Sequence, residues 1–289
     1  MLAAAATAET AEETADTDAA GAAAGRAAFY DRLYARLDST PHLEVRREVF
    51  GEDLGQSGWA TGGEARAGYR ALGLAAGDEV LEVACGAGGL ALLLAREHEA
   101  RVTGVDASEE GIAAAARQAR RSGLAGRARF RVADAAGPLP FADASFDGLV
   151  CWDSIDHLPR RERRLGDWHR VLRPGGRLLF TDPAVVTGPL TDEEVAVLAA
   201  GGPLLLVPPG VDELLLEEIG FDAEVSDRTA AVAGLAARWH EARARRMPRL
   251  LALEGAGPFE RRQRQLALAH RLAYQQRLSR LVFVARKAR

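Results

Sequence analysis

The spacing of hydrophobic residues changes near residue 78. Between residues 26 and 74, apolar and aromatic side chains recur at helical spacing, and a glycine-rich stretch at 51–63 interrupts them. This pattern predicts helices that lead into a loop. From residue 79 onward, short apolar runs alternate with amphipathic stretches. Such alternation is typical of parallel strands joined by right-handed helical crossovers, so we predict an α/β fold with a doubly wound sheet.

The alternating segments can be placed one by one. Strands are predicted at 79–84, 101–106, 128–133, 146–151 and 176–181, and helices at 88–98, 109–121 and 159–172. A helix at 211–219 and strands at 221–229 and 279–287 follow. About fifty residues of helical spacing, 230–277, separate the last two strands, where a hairpin would be the usual connection. We expect this insertion to form a cap over the site; a helical pair that only thickens the core is the alternative.

These patterns divide the chain into three parts. Residues 1–25 are rich in alanine and acidic side chains and lack the basic start of a signal peptide, so we expect a flexible acidic tail. Residues 26–74 are expected to form a helical lid segment. Residues 75–289 are expected to form the main domain with the cap inserted at 230–277. A length of 289 residues with 48% hydrophobic residues fits one sizeable core.

The composition indicates which kinds of partner the protein binds and in which cellular compartment it is expected. The net charge of −4 argues against a nucleic-acid substrate. No apolar run approaches the roughly 20 residues of a membrane helix, so no membrane association is expected. The two cysteines, Cys85 and Cys151, lie at the ends of apolar strands, which suits reduced thiols in a cytoplasmic protein. We expect no metal, and a homodimer is left open.

The stretch "VLEVACGAGGLA" (80–91) carries the first evidence on a ligand. Gly86 and Gly88 allow close approach of a ligand to the backbone, and Asp106 follows Gly86 by twenty residues. These features match the dinucleotide fingerprint of NAD-dependent oxidoreductases. However, the carboxylate of Glu82 beside the turn would repel a pyrophosphate, whereas it suits a ligand with an ammonium and a sulfonium group. We therefore predict S-adenosylmethionine as the cofactor.

A polar group follows each of the next strands, where this cofactor needs one. Asp106 is placed to accept hydrogen bonds from both ribose hydroxyls, and Asp134 from the adenine amino group. Trp152, Asp153 and His157 follow the fourth strand, near the side on which the methyl group would face its acceptor.

Taken together, the stretches resemble the class I S-adenosylmethionine-dependent methyltransferases over residues 45–185. The fragments "LEVACGAGG", "DSIDHLP" and "LRPGGRLL" are most similar to small-molecule enzymes of the glycine/sarcosine N-methyltransferase and ubiquinone-biosynthesis type. The resemblance implies a Rossmann-like seven-stranded sheet of order 3-2-1-4-5-7-6 with strand 7 antiparallel. The cofactor contacts that we expect are Glu82, Ala84, Gly86, Gly88, Asp106, Ala107, Asp134, Ala135 and Trp152.

Two departures from the family pattern stand out. Ala84 replaces a glycine that many members of the superfamily have at this position. The 51–63 loop lacks the arginine that glycine-type enzymes place near the methionine carboxylate, which argues against a glycine-like substrate.

The expected function is methyl transfer to the nitrogen, oxygen or carbon of a small molecule in specialised metabolism. His157 is the candidate base, with Asp153 or Asp156 orienting it or the acceptor. Alternatively, His157 caps the following helix or contacts the cofactor without taking a proton. The acceptor-side residues that we expect are Tyr30, Trp59, Asp153, His157 and His240. The alternative functions are an NAD-dependent oxidoreductase and a cofactor-binding protein with a cyclase or regulatory role.

Overall fold

The N-terminal part of the protein is helical, as its spacing predicts. The computed structural model describes residues 25, 27–200 and 204–288. Helix α1 covers 27–34, α2 Thr40–Phe50 and α3 Gly62–Leu72. Proline in the first turn of α2 and a hydrogen bond from Glu64 N–H to Thr61 Oγ1 at the start of α3 explain where these two helices begin. The tail predicted at 1–25 lies, except for Gly25, outside the described residues.

The central part alternates strands and helices. Its elements are β1 (Glu79–Val83), α4 (Gly89–Glu97), β2 (Arg101–Asp106), α5 (Glu109–Arg121), β3 (Ala128–Val132), β4 (Phe146–Cys151), a 3-10 turn (Ile155–His157), α6 (Arg161–Val171) and β5 (Leu172–Val186). The predicted bounds agree to within about two residues, except that β5 begins earlier and runs five residues further.

The C-terminal part contains the predicted insertion. Its elements are α7 (Asp192–Ala199), α8 (Val211–Ile219), β6 (Phe221–Asp227), α9 (Thr229–Arg245), α10 (Met247–Glu254), α11 (Ala256–Tyr274) and β7 (Leu278–Lys287). The insertion between the last two strands thus consists of the three helices α9 to α11.

All seven strands form one sheet in the order β3-β2-β1-β4-β5-β7-β6. Strands β1 to β5 pair in parallel, whereas β7 is antiparallel to both β5 and β6. Phe180 of β5 lies directly opposite Phe283 of β7, with their rings stacked at 4.5 Å. The predicted strand order and the antiparallel last strand are therefore confirmed.

The core lies on both faces of the sheet because the central strands are buried on both sides. Leu81 of β1 belongs to a cluster with Trp168 of α6, and its neighbour Val80 belongs to a cluster on the other face with Tyr69 of α3. A third cluster joins Phe50 of α2 to the insertion. The lid segment and the insertion therefore pack against each other beside the sheet.

The two cysteines are buried and free, as predicted. Within the part of the chain that the structure describes, none of the helices combines the length and the apolar character that a bilayer crossing requires.

Candidate active site

A cavity of about 240 Å³ opens at the carboxyl ends of the central parallel strands. This is where doubly wound sheets bind ligands. Every residue that we predicted to contact the cofactor lines it: Glu82, Ala84, Gly86, Gly88, Asp106, Ala107, Asp134, Ala135 and Trp152. Tyr30, Trp59, Asp153 and His157 line it too, so the fold brings these predicted residues together.

The turn after β1 needs residues without a bulky side chain. Gly86 has a φ of +53° and Gly88 a φ of +75°, and a Cβ atom on Gly86 would collide with the Tyr34 hydroxyl. Ala84 also lies in the left-handed region, with a φ of +55°. The alanine is therefore accommodated where the family usually has glycine, at a cost of about 1–2 kcal/mol in backbone strain.

Asp106 is held rigidly at the end of β2. Its carboxylate accepts a hydrogen bond of 2.8 Å from Gly86 N–H and another of 2.8 Å from Ser108 N–H. Burial raises the pKa of Asp106 despite these two bonds. The carboxylate thus faces the cavity in a fixed position, as a bidentate acceptor of two ribose hydroxyls would require.

Glu82 is a buried acid in the cavity with one unpartnered oxygen. Its side chain is only 2% exposed, and its Oε2 atom has no hydrogen-bond partner in the structure. Burial, and next the negative charge of Asp106, raise the pKa of Glu82 to about 8. A buried carboxyl oxygen without a donor is costly for the folded protein. A cationic ligand bound beside Glu82 would relieve that cost.

Gln56, which the sequence analysis missed, provides the complementary donor. Its Oε1 atom accepts a 2.9 Å hydrogen bond from Leu54 N–H, which fixes the side chain in the glycine-rich loop. Its Nε2 atom is buried without a hydrogen-bond partner among the described residues, and Gln56 lines the same cavity as Glu82. An unpartnered acceptor and an unpartnered donor in one cavity match the ammonium and carboxylate groups of an amino acid. The residues present therefore fit the methionine part of S-adenosylmethionine.

The carboxylate of Asp153 is hydrogen-bonded to the protein itself, which we did not expect of a group that binds the acceptor. Its Oδ2 accepts from Trp59 N–H at 2.7 Å and Ala60 N–H at 2.9 Å, and its Oδ1 from Thr181 Oγ1–H at 2.9 Å. Arg280 donates to Oδ1 as well, at 2.6 Å. These hydrogen bonds use both carboxylate oxygens and hold the 51–63 loop against the sheet. The structure gives Asp153 the contacts of an anchor for the Trp59 loop, while its predicted catalytic and acceptor-binding role stays a prediction.

His157 lies in the 3-10 turn after β4 and faces two polar side chains. Its Nε2 atom is 3.3 Å from the Tyr30 hydroxyl and 3.9 Å from Asp156 Oδ2. Asp156 is only 3% exposed, and its Oδ1 atom has no hydrogen-bond partner. Burial raises the pKa of Asp156 to about 6. Of the two carboxylates considered from the sequence, Asp156 is therefore the one beside the imidazole.

An apolar extension of about 160 Å³ adjoins the cavity on the side of His157. Tyr30, Trp59 and His157 border both spaces, and the far wall comes mainly from α11 and β7, with Val232 of α9. The insertion thus contributes to the site. His240 of α9 does not line the cavity or its extension, so the structure does not bring this predicted residue into the site.

Arg262 of α11 is a second residue that the sequence analysis missed. It lines the cavity, its apolar extension and a third space of about 250 Å³ beneath α1. Its guanidinium lies 4.5 Å from the centre of the Trp239 ring. The clue available in the sequence was weak, since Arg262 is one of many arginines in the insertion.

Comparison with known proteins agrees with this geometry. Residues 80–176 match the methyltransferase domain family. This segment contains nearly all of β1 to β4 and most of the lining of the cavity, so the match falls on the part of the chain that forms the site. The resemblance that the sequence motifs indicated is confirmed.

Individual relatives agree as well. The methyltransferase GfsG of Streptomyces halstedii is 42% identical over 130 residues, which are 45% of this chain and 46% of that protein. The O-methyltransferase rstn1 of Aspergillus nomiae is 39% identical over 149 residues, which are 50% of this chain and 64% of that protein. The chain therefore spans less than two thirds of the length of these two curated relatives.

The fold has solved counterparts. Phosphoethanolamine N-methyltransferase 2 of Haemonchus contortus, in complex with phosphomonomethylethanolamine and S-adenosylhomocysteine, superimposes with a TM-score of 0.76. The match covers 90% of this chain and 60% of that one at 22% identity. The α/β methyltransferase fold predicted from the sequence is thus confirmed.

Proposed function

We propose that the protein is an S-adenosylmethionine-dependent methyltransferase that transfers the methyl group to an oxygen atom of a small molecule. The observation that carries this proposal is the pair of buried, unpartnered groups in the cavity, Glu82 Oε2 and Gln56 Nε2. They complement the two charged groups of an amino acid, and Asp106 lies in the same cavity with a carboxylate suited to a ribose.

When bound, S-adenosylmethionine supplies a methyl group activated by a positively charged sulfur. The chain has to align the acceptor with that methyl group and exclude water. Glu82 would bind the ammonium group, Gln56 the carboxylate, Asp106 the ribose and Asp134 the adenine amino group. The Tyr34 hydroxyl lies over the glycine turn, and Trp59 closes the cavity from the loop that Asp153 anchors.

The proposal of an oxygen acceptor rests on His157. A hydroxyl group becomes a better nucleophile when a base removes its proton, whereas a neutral amine needs no base. His157 would accept that proton at Nε2, and the nearby Asp156 carboxylate would stabilise the resulting imidazolium. The relative named as an O-methyltransferase supports the same choice of atom.

Two alternatives predict different results. An NAD-dependent oxidoreductase would have to place a pyrophosphate beside the buried carboxyl group of Glu82, which is electrostatically unfavourable. A cofactor-binding protein with a cyclase or regulatory role would bind S-adenosylmethionine without consuming it.

The first test is calorimetric titration of the protein with S-adenosylmethionine, S-adenosylhomocysteine and NAD⁺. We expect binding of the first two at one molecule per chain and no measurable binding of NAD⁺. Tight binding of NAD⁺ without binding of S-adenosylmethionine would favour the oxidoreductase. Formation of S-adenosylhomocysteine on addition of hydroxylated small molecules then separates the enzyme from a non-methylating protein.

We further propose that the lid segment and the insertion enclose the acceptor, because both contribute walls to the apolar extension. A role in the biosynthesis of a specialised metabolite, location in the cytoplasm and association as a homodimer stay predictions. Size-exclusion chromatography with light scattering would test the last of these.

A further inference from the structure

Arg262 is a half-buried cation that forms no ion pair with any of the described residues. Its one hydrogen bond in the structure is a long one of 3.4 Å from Nη2 to Ser57 O. No carboxylate of the described residues lies within ion-pair distance of it. Burial, and next the nearby Arg243, lower the pKa of Arg262 to about 10, so the guanidinium stays charged at neutral pH.

The fully buried arginines around these spaces are neutralised by carboxylates. Arg280 pairs with Asp153 at 2.6 Å and with Glu64 at 2.6 Å. Arg243 pairs with Glu254 at 2.8 Å. Buried charges in proteins are normally paired or bound to a ligand. Arg262 therefore departs from the pattern that its own neighbours follow.

The position of Arg262 favours an anion of the acceptor over one of the cofactor. The guanidinium borders the apolar extension, which neither Glu82 nor the glycine turn lines. Gln56 already offers a buried donor for the methionine carboxylate. Since Arg262 is a single cation, it matches one negative charge, and its planar geometry matches a carboxylate.

We propose that the methyl acceptor carries a carboxylate group, which Arg262 binds at the junction of the cavity and its apolar extension. The inference rests on the proposed function, because it assigns a substrate class to the same site. Arg262 then determines specificity, because an acceptor without the anion leaves the half-buried guanidinium unpaired and binds less tightly than one that carries the anion.

The test compares acids with their neutral analogues. The full-length protein is saturated with S-adenosylhomocysteine and titrated calorimetrically with three hydroxy acids: 4-hydroxybenzoate, 4-hydroxyphenylacetate and 3-hydroxyoctanoate. The primary amide of each acid is the matched neutral probe. We expect one or more acids to bind about tenfold more tightly than the amide, as a charge-assisted hydrogen bond predicts.

Three variants show whether Arg262 causes the preference for the acid over its amide. Arg262→Met keeps much of the side-chain volume and should abolish the preference for the acid, and Arg262→Lys should retain part of it. Arg264→Met is the matched control, because Arg264 lies on the same helix, is exposed and lines none of the three spaces. It should behave like the wild type. Circular dichroism and S-adenosylhomocysteine binding show that each variant is folded.

The results that would overturn this inference differ from the result that would overturn the proposed function. If no acid of the set binds better than its amide, or if Arg262→Met keeps the preference, the inference is wrong and the proposed function stands. If Arg262→Met weakens S-adenosylhomocysteine about tenfold and leaves the acids unaffected, the anion is the carboxylate of the cofactor, which also overturns the inference. Failure of the wild type to bind S-adenosylhomocysteine would contradict the proposed function itself.

Discussion

The substitution Glu82→Gln should make the ligand-free protein more stable and its cofactor binding weaker. Glu82 is buried, and its pKa is raised from 4.5 to about 8. A group whose pKa is higher in the folded state favours folding fully below its unfolded-state pKa of 4.5. That contribution is lost as the pH rises through 8. Glutamine has the same shape but does not titrate, so the variant avoids this loss.

The size of the effect follows from the two pKa values. Between pH 4.5 and 8, Glu82 stays protonated in the folded state but ionises in the unfolded state. Relative to acid pH, this lowers the stability of the wild type by about 1 kcal/mol at pH 5.5 and about 3 kcal/mol at pH 7. We therefore compare the free energy of unfolding of Glu82→Gln with that of the wild type. The difference between them should be about 2 kcal/mol larger at pH 7 than at pH 5.5. The rise with pH is more informative than the absolute difference, because a pH-independent packing change would cancel from it.

Urea denaturation at pH 5.5 and pH 7 measures this rise. Glu79→Gln is the control, because Glu79 lies on the same strand with its side chain 39% exposed, and it should show no comparable rise. Cofactor affinity of the wild type should increase with pH up to about 8, since a cationic ligand binds the ionised form of Glu82. A pH-independent difference in stability, or unchanged cofactor affinity in Glu82→Gln, would refute the account of this residue.

Three further substitutions test the rest of the site. Asp106→Ala should weaken S-adenosylhomocysteine binding by about 1.5–3 kcal/mol in calorimetry, because charge-assisted hydrogen bonds are lost; unchanged affinity would contradict the ribose assignment. His157→Asn should lower kcat by about 10²–10⁴ with near-normal cofactor affinity and should remove the acidic limb of the pH profile; if most activity and the limb persist, His157 only positions the acceptor. Asp153→Ala should destabilise the protein by about 3–5 kcal/mol in urea denaturation, because Arg280 loses a buried partner; an unchanged midpoint would show that the anchor is dispensable.

Local pattern was sufficient to predict most of the sheet. Strands β1 to β3 alternate with helices, and the period of the hydrophobic residues changes at each boundary. The length of β5 was underestimated, because its last residues are strand only through pairing with β7, as between Val186 and Leu278. Helix α7 was missed, although Thr191 and Glu194 form a capping box at its start.

The cofactor side of the site was predictable because topology alone determines it. The carboxyl ends of neighbouring parallel strands meet at one edge, so Glu82, Asp106 and Asp134 had to converge once the strand order was assumed. The catalytic side was harder. Asp153 and Asp156 are only three residues apart, and the 3-10 turn Ile155–His157 decides which carboxylate lies beside His157.

The remaining residues of the site depend on tertiary packing. Gln56 reaches the cavity because its loop is anchored to Asp153, more than ninety residues away. Arg262 reaches it because α11 packs against α9 and α2 through Leu266, Trp239 and Val49. The spacing of residues along the chain does not reveal either long-range contact. For this reason the sequence predicted His240 as a site residue and not Arg262.

The most direct test of the central claim follows the methyl group. The protein is incubated with S-adenosylmethionine carrying a ¹³C-labelled methyl group and with a set of hydroxylated small molecules that includes carboxylic acids. Products are then measured by mass spectrometry. The account predicts a product that carries the label on oxygen, formed in equal amount with S-adenosylhomocysteine and lost in His157→Asn. Stoichiometric binding of S-adenosylmethionine with all of the label remaining in the cofactor would contradict it.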